Sequence, residues 1–409
     1  MVTPRQGIAM FSIAAVLPLL VLGLQENKPG TDPANREGPV MRVEVNKLAN
    51  SRRELASPMQ RVKIAFVDED RLALTFMTPA SSCGAQMGKP ASRSSPILFR
   101  TIFLDVKTGQ VRAGQDWSSD TPSFELIPTH DGRFLLATFK EIKLYSASFE
   151  LLGHRELPPK GPGSTFSHAT VSWGGHTLIV ESYEDRRNRL ELVDADTLQV
   201  KHSWITDQAV IKVTSADNGV AIETRNQIQF SATDESWRTV YTLPDPRLCT
   251  NLFIQPEFIG NDALAFRDCN NQVTAIDTSG KLLFKSALYP SRTHVVPIIT
   301  SRNGRVFGAL VYKSYCAASW LECMFDPIEG AAPERVVVYD ALNGRPIYER
   351  RLEVDRKHPL GEIALSPHGS LLAVLSRVPS GRADGIVEVF RLPALESSRF
   401  PERVESHYR

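Results

Sequence analysis

The chain has 409 residues, 42% of them hydrophobic and 23% charged, so it is long enough to bury a large core. Lys plus Arg number 47 against 46 for Asp plus Glu, which leaves a formal net charge of +1 with no long run of either sign. A dedicated nucleic-acid surface normally shows a basic stripe, so this balance argues against nucleic acid as a partner.

The N-terminus carries a targeting segment. Arg5 precedes an apolar run from Ile8 to Leu24, and a polar stretch rich in Pro, Gly, Asn and charge follows over residues 25–38. Residues 1–24 are typical of an export signal. An uncleaved membrane anchor is the alternative, because the apolar run is at the lower edge of what spans a bilayer. Both interpretations place the body of the protein outside the cytoplasm, periplasmic or secreted, with membrane contact only through this segment.

Short turns of Gly, Asn, Asp or His, each followed by an apolar strand, repeat along the chain. This is the pattern of a tight hairpin. From Gly132 to Gly304 the turns recur every 42 to 44 residues. The copies are PTHDGRFLLATF (128–139), SWGGHTLIVES (172–182), SADNGVAIET (215–224), FIGNDALAFRD (258–268), SRNGRVFGALV (301–311) and SPHGSLLAVLS (366–376), with VDEDRLALTFM (67–77) as a looser seventh.

A second motif has the same period. In it a strand ends on Asp, turns through a short polar loop and resumes as a strand. The Asp carboxylate can accept hydrogen bonds from the amides of the turn, and a Gly supplies the positive φ that the turn requires. The copies are FLDVKTGQV (103–111), LVDADTLQV (192–200), AIDTSGKLL (275–283) and VYDALNGRP (338–346).

Four strands per repeat of this length predict the blades of a β-propeller, so the fold class is all-β with seven blades in one closed ring. The seventh blade holds three clear strands. Its outer strand is predicted at residues 39–48, PVMRVEVNKL, which would close the ring and remove its open edges. Residues 394–409 form a polar tail. The predicted blades are 62–117, 124–158, 167–204, 210–243, 252–289, 295–353 and 361–393.

These blades give the chain a resemblance to bacterial propellers with WD-repeat-like or YVTN-type blades. In that group S-P-D-G-x-x-L-A-V followed by D-x-x-T-G-x-V recurs, and SPHGSLLAV and FLDVKTGQV are similar to those two motifs. The resemblance covers about residues 60–393, without the tryptophan–aspartate dipeptide of true WD repeats. It implies the fold and leaves function open, because such rings act as scaffolds, binding modules and enzymes.

The two faces of the predicted ring differ. Turns between first and second strands and between third and fourth strands lie on one face, the turn face. Loops between second and third strands and between blades lie on the other, the loop face. Long loops at 78–96, 313–334 and 377–385 belong to blades one, six and seven, which are neighbours in a closed ring. They predict a ligand or partner surface on the loop face.

Titratable residues of the turn face are predicted to serve turn geometry. His130, His176 and His368 are interpreted as solvated turn residues. Asp68, Glu69 and Asp70 have the chemistry to hold calcium, with a solvated turn as the favoured interpretation.

The five cysteines all fall on the loop face. In an exported protein we expect disulfides between Cys249 and Cys269 and between Cys316 and Cys323. Cys83 is left over, as a reactive thiol or the link of a disulfide-bonded dimer. The spacing does not favour a metal site, so no metal and no cofactor is predicted.

Candidate contact residues lie near the same loops. Arg267 and Asp268 border the loop face and are candidates for partner binding, with solvated charge as the favoured interpretation. The blade-six loop adds an aromatic and apolar set that could contact a partner, or could pack the loop on the ring. That set is Tyr312, Tyr315, Trp320, Met324 and Phe325.

Sequence motifs for catalysis are absent, with no G-x-S-x-G elbow, no H-E-x-x-H and no phosphate loop. His168, His294 and His358 stand at or just before first strands, where a propeller channel opens on the loop face, and are weak catalytic candidates. We expect an exported module that binds a protein, peptide or glycan. A lactonase- or hydrolase-like enzyme and a structural envelope scaffold are the alternatives.

Overall fold

The computed structural model describes fifteen segments of the chain, and the fold is read from these. No helix within them is long and apolar enough to cross a membrane. The predicted signal or anchor and most of the polar tail lie outside the described residues. The described segments are 38–48, 62–77, 97–119, 125–138, 140–157, 168–184, 187–225, 227–233, 236–243, 254–269, 272–287, 293–314, 331–352, 361–377 and 385–395.

Seven four-stranded antiparallel sheets form the blades, as the two repeated motifs predict. Six contain consecutive strands. Blade one is β2 (Lys63–Phe66), β3 (Arg71–Met77), β4 (Ile97–Asp105) and β5 (Val111–Ser119); blade two is β6 (Glu125–Pro128), β7 (Phe134–Ala137), β8 (Glu141–Tyr145) and β9 (Leu151–Glu156); blade three is β10 (His168–Val171), β11 (Thr177–Glu184), β12 (Arg187–Asp194) and β13 (Val200–Thr206). Blade four is β14 (Lys212–Ala216), β15 (Gly219–Glu223), β16 (Gln227–Ala232) and β17 (Arg238–Thr242); blade five is β18 (Glu257–Phe258), β19 (Ala263–Arg267), β20 (Gln272–Asp277) and β21 (Leu282–Ala287); blade six is β22 (Thr293–Thr300), β23 (Val306–Ser314), β24 (Ala331–Asp340) and β25 (Pro346–Arg351).

The seventh blade closes the ring with a strand from the N-terminal side, which confirms the prediction. It has the order β1 (Met41–Glu44), β28 (Gly385–Arg391), β27 (Leu371–Arg377) and β26 (Gly361–Leu365). Met41 pairs with Val389 and Glu44 with Ile386. The regular strand is shorter than the predicted 39–48, because Val45–Leu48 form one helical turn, α1. Val45 is fully buried there, so its apolar side chain fits the core without further strand pairing.

Hydrophobic burial holds neighbouring blades together. The described core residues form seven clusters, and each joins two adjacent blades. The cluster between blades seven and one includes Met41 and Val45, so the N-terminal strand contributes to the core as well as to the sheet. A single blade exposes both apolar faces, and stacking in a ring buries them.

The Asp turns of the second motif form as predicted. Oδ1 of Asp194 accepts hydrogen bonds from the backbone amides of Asp196 (3.0 Å) and Thr197 (2.9 Å). Oδ1 of Asp277 accepts from Ser279 (2.9 Å) and Lys281 (2.9 Å) in the same way. These carboxylates satisfy amides that the turn leaves without strand partners.

Candidate functional site

The loop-face end of the central channel gathers charged side chains from five blades. First strands begin on this face, and β2 contacts both β6 and β26 around the axis. Each of the five charged residues lies in a first strand, at or next to its first residue. We call this set the channel mouth: Lys63, Glu125, Lys212, Glu257 and Glu362.

Lys212 and Glu257 form the most buried ion pair of the channel mouth. Lys212 Nζ lies 2.8 Å from Glu257 Oε1, and Thr214 Oγ1 donates a 3.0 Å hydrogen bond to Glu257 Oε2. The negative charge of Glu257 raises the pKa of Lys212, and this outweighs the opposing effect of burial. Lys212 is therefore an ammonium at neutral pH, held between blades four and five.

A second carboxylate behind this pair, Glu223, binds backbone. It ends β15, and its two oxygens accept hydrogen bonds from the amides of Ile254 (2.8 Å) and Gln255 (2.9 Å). Gln255 has a φ of 49°, a left-handed conformation that few non-glycine residues adopt. Burial raises the pKa of Glu223, although both amide hydrogen bonds oppose the rise. Glu223 fixes the entry of the chain into blade five.

The other side of the channel mouth pairs blades one and seven. Lys63 Nζ donates a 2.7 Å hydrogen bond to Glu362 Oε1. Glu125 in blade two lies close enough to Lys212 that its charge also raises the pKa of that lysine. With Lys63 and Lys212 against Glu125, Glu257 and Glu362, the described charges of the mouth carry one negative charge in excess.

The predicted histidines border the channel mouth by backbone position. His168 begins β10 and pairs with Glu181 of β11, and His294 in β22 pairs with Tyr312 of β23. The placement of both imidazoles, and all of His358, lies outside what the structure describes, so their catalytic role stays a prediction. Burial raises the pKa of Glu181, so the carboxylate opposite His168 is held in a poorly solvated place.

Arg267 and Asp268 are buried at 7% and 4% exposure, so the interpretation of solvated charges is wrong for them. Asp268 accepts hydrogen bonds from Thr274 Oγ1 (3.0 Å) and the Gln272 amide (2.9 Å). Burial lowers the pKa of Arg267 to about 10, which still leaves it charged. Their partner-binding role stays a prediction, and the two hydrogen bonds given for Asp268 are with its own blade.

Most of the predicted contact loop lies outside the described residues. Tyr312 is in β23, with its side chain not described, and Tyr315, Trp320, Met324 and Phe325 follow beyond the end of that strand. Cys83, Cys249, Cys316 and Cys323 are also outside, and Cys269 follows β19 after one residue.

The turn-face end of the channel is crossed by side chains, which the sequence interpretation missed. Trp173 Nε1 of blade three donates to the carbonyl oxygen of Ser301 in blade six at 3.2 Å. Arg302 donates to the carbonyl oxygens of Thr129 in blade two and, at 3.3 Å, Phe66 in blade one. A Cβ on Gly304, whose φ is +66°, would lie 2.8 Å from the Trp173 ring. Only glycine leaves room for the indole there.

His130 is also less solvated than predicted. Its ring centroid lies 3.9 Å from that of His176, and its Nδ1 is buried with no hydrogen-bond partner among the residues that the structure describes. His130, Asp131 and Asp196 bring possible metal-ligand atoms within 4.8 Å of one another. The Arg133 guanidinium forms ion pairs with both carboxylates, so the positive charge of Arg133 already compensates part of their negative charge.

The acidic residues of the blade-one turn have partners, and their side chains are also partly exposed, at 37% for Asp68, 27% for Glu69 and 52% for Asp70. Glu69 accepts from the His368 amide (2.5 Å) and Ser370 Oγ (2.7 Å) of blade seven. Asp68 Oδ2 pairs with Arg71 at 2.6 Å, and Asp70 with Lys107 at 2.9 Å. The contacts of Glu69 and Asp70 join the blade-one turn to other turns. The His368 side chain is 74% exposed, as predicted.

Comparison with known proteins defines the fold alone. No protein-family model matches the sequence, and no curated protein matches it. A chain of the crystal structure of the mitotic checkpoint complex is similar with a TM-score of 0.50 and 11% identity, over 96% of this chain and 99% of that chain. BamB from Moraxella catarrhalis is similar with a TM-score of 0.40 and 13% identity, over 81% and 85%. Kluyveromyces lactis Hsv2 gives 0.41 and 17%, over 62% and 72%.

The class of protein follows from the sheets and their closure. The chain is a seven-bladed β-propeller whose last blade takes its outer strand from the N-terminal side. The predicted resemblance to propellers with WD-repeat-like blades is confirmed at the level of the fold.

Proposed function

We propose that this propeller is an exported binding module that presents the loops of blades six, seven and one to a protein, peptide or glycan partner. The observation that supports it best is the length of the central strands in blade six. β23 and β24 have 9 and 10 residues, against 5 and 6 for the equivalent β19 and β20 of blade five. Their pairing continues to Ser314 opposite Ala331, where the connection at 315–330 begins.

Blade one extends in the same direction. β3 and β4 have 7 and 9 residues and pair as far as Met77 opposite Phe99, where the 78–96 connection begins. Blades six, seven and one are consecutive in the ring, so these projections form one sector of the loop face. Long loops carried by a rigid scaffold are the usual place for binding residues.

Export is supported by the N-terminal pattern and by cysteine chemistry. Cys269 is disulfide-bonded, and disulfides persist in oxidising compartments. We assign its partner as Cys249 and keep Cys316 with Cys323 as the second bridge, which would shorten the blade-six connection. The aromatic residues of that connection would supply the apolar centre of the contact.

The test is capture of a partner from the exported fraction of the native host with three forms of the full chain. One is the wild type, and one has residues 315–330 replaced by a Gly-Ser linker of equal length. The control is Leu282→Ser with Leu283→Ser, which changes two exposed apolar residues on the rim of blade five. We expect one saturable partner with the wild type and the control and its loss with the linker form. Equal capture by all three forms, or no saturable partner, would contradict the proposal.

A further inference from the structure

A cleft on the turn face, where blade seven meets blade one, has the properties of a second binding site. Its volume is about 500 Å³, within the range of ligand pockets. It lies beside the closing strand, next to Val40 and the segment that follows β28. Its walls come from the turns of blades one, six and seven. We call it the seam cleft, and its main residues are Val40, Val106, Lys107, Arg305, His368, Arg391, Leu392 and Leu395.

The charges of the seam cleft are not balanced within it. Both carboxylates in its wall are engaged: Glu69 with the His368 amide and Ser370, and Asp70 with Lys107. Among the described residues, neither Arg305 nor Arg391 has an acidic partner. The cleft therefore holds three cationic side chains and two carboxylates, which gives one positive charge in excess. The guanidinium groups of Arg305 and Arg391 are available to a ligand.

Much of the wall between these cations is apolar. Val106 and Leu392 are buried beneath the cleft, and Leu371 and Leu395 are partly exposed within it. Leu392 is fixed by a 2.8 Å hydrogen bond from its amide to the Ser370 carbonyl oxygen. A hydrated inorganic anion gains nothing from such walls. An aliphatic side chain beside a carboxylate uses both the walls and the guanidinium groups.

We propose that the seam cleft binds an extended acidic peptide segment, in which an Asp or Glu side chain contacts Arg305 and Arg391 and a neighbouring aliphatic side chain lies against Leu371 and Leu392. The planar guanidinium matches a carboxylate with two parallel hydrogen bonds, which makes arginine the suitable cation for this contact. The site is on the turn face, opposite the loops of the proposed function, so it is a further site and does not depend on that function.

The test is selection from a random heptapeptide library on the purified full chain, with counter-selection on Arg305→Ala/Arg391→Ala. The consensus peptide is then titrated by fluorescence anisotropy. We expect enriched peptides that place Asp or Glu beside Leu, Ile, Val or Phe. Loss of both guanidinium groups should weaken binding by at least about tenfold, because one hydrogen bond to a charged group is already worth about that factor, and added salt should weaken wild-type binding.

Two further variants make the test sharp. Arg225→Ala/Arg351→Ala removes two exposed arginines elsewhere on the ring and should leave the affinity within about twofold, as surface changes do. Arg391→Glu should redirect selection toward peptides with Lys or Arg. The proposal is overturned if no peptide is enriched, if enriched peptides lack acidic residues, or if they bind the double variant as tightly as the wild type. Equal thermal melting of all forms excludes unfolding as the cause.

Discussion

Trp173 and Ser301 are joined across the ring by a 3.2 Å hydrogen bond from the indole to the carbonyl oxygen, although 128 residues separate them in sequence. Blades three and six are as far apart as two blades of a seven-membered ring can be. The bond therefore crosses the channel at its turn-face end, and Arg302 crosses beside it.

Arg302 is expected to be the most sensitive residue of the turn face. Burial lowers the pKa of its guanidinium to about 10, with Asp131, Asp68 and Glu69 opposing the change, so it remains charged at neutral pH. Arg302→Leu removes the donors to the Thr129 and Phe66 carbonyl oxygens. We expect the free energy of unfolding in urea to fall by about 2–4 kcal/mol. Exposed Arg225→Leu is the control, and equal effects of the two changes would contradict the crossing contact.

Lys212 and Glu257 should show strong energetic coupling. Glu257→Gln leaves the partly buried ammonium of Lys212 with a weaker partner, and Lys212→Met leaves the Glu257 carboxylate without its cation, near Glu125 and Glu223. Each single change should lower the free energy of unfolding. The loss in the double variant should be about 1–3 kcal/mol smaller than the sum of the two single losses. A double-mutant cycle by urea denaturation measures this. Additive effects would show that the two side chains do not interact.

Glu181 gives a prediction about pH. Burial raises the pKa of this carboxyl above its ordinary value of 4.5, so the folded chain binds its proton more tightly than the unfolded chain. The contribution of Glu181 to stability is therefore most favourable at low pH and is lost as the pH rises through the raised pKa. We expect Glu181→Gln to match the wild type near pH 4 and to exceed it at pH 8. A constant difference across that range would exclude the effect.

Asp194 should behave in the opposite way. Burial favours its neutral form, but hydrogen bonds from Lys201, Thr197 and Asp196 outweigh this and lower its pKa to about 2. Its contribution is present above the ordinary pKa of 3.8 and is lost as the pH falls toward 2. Asp194→Ala should cost roughly 1–2 kcal/mol at pH 7, and Asp194→Asn, which keeps the acceptor oxygen, should cost less. Thermal melting at pH 7 and pH 2.5 tests both statements.

The fold was predictable because it repeats. Turn glycines recur about every forty-three residues, and the Asp turns have the same period. These local patterns predict four strands per blade without any information on contacts between distant residues. The outer strand at Met41–Glu44 was predictable because blade seven lacked one and the N-terminal segment alternates apolar with polar. The helical turn that begins at Val45 was not predictable, because the alternation of apolar and polar residues continues through Val45. The chain nevertheless leaves the sheet there and continues toward blade one.

The site was less predictable because its contacts join distant blades. Nothing local shows that Arg302 reaches Thr129, or that Lys212 meets Glu257 from the next blade. Two signals were present in the sequence. Trp173 is a large aromatic residue in a turn where the equivalent positions of blades two, four, six and seven hold His, Asp, Arg and Pro, which indicates a covered position. First strands begin with Lys63, Glu125 and Lys212, and charge repeated at an inner position indicates a polar channel mouth.

The most direct test of the proposed loop-face binding surface is hydrogen–deuterium exchange of the full chain with and without its captured partner. We expect the partner to slow amide exchange in 78–96, 315–330 and 377–385, on consecutive blades of the loop face. Amides of the turn face, including those after Asp194 and Asp277, should exchange at unchanged rates. Slowed exchange confined to the turn face, or to the loop-face ends of blades two to four, would contradict the proposed binding surface.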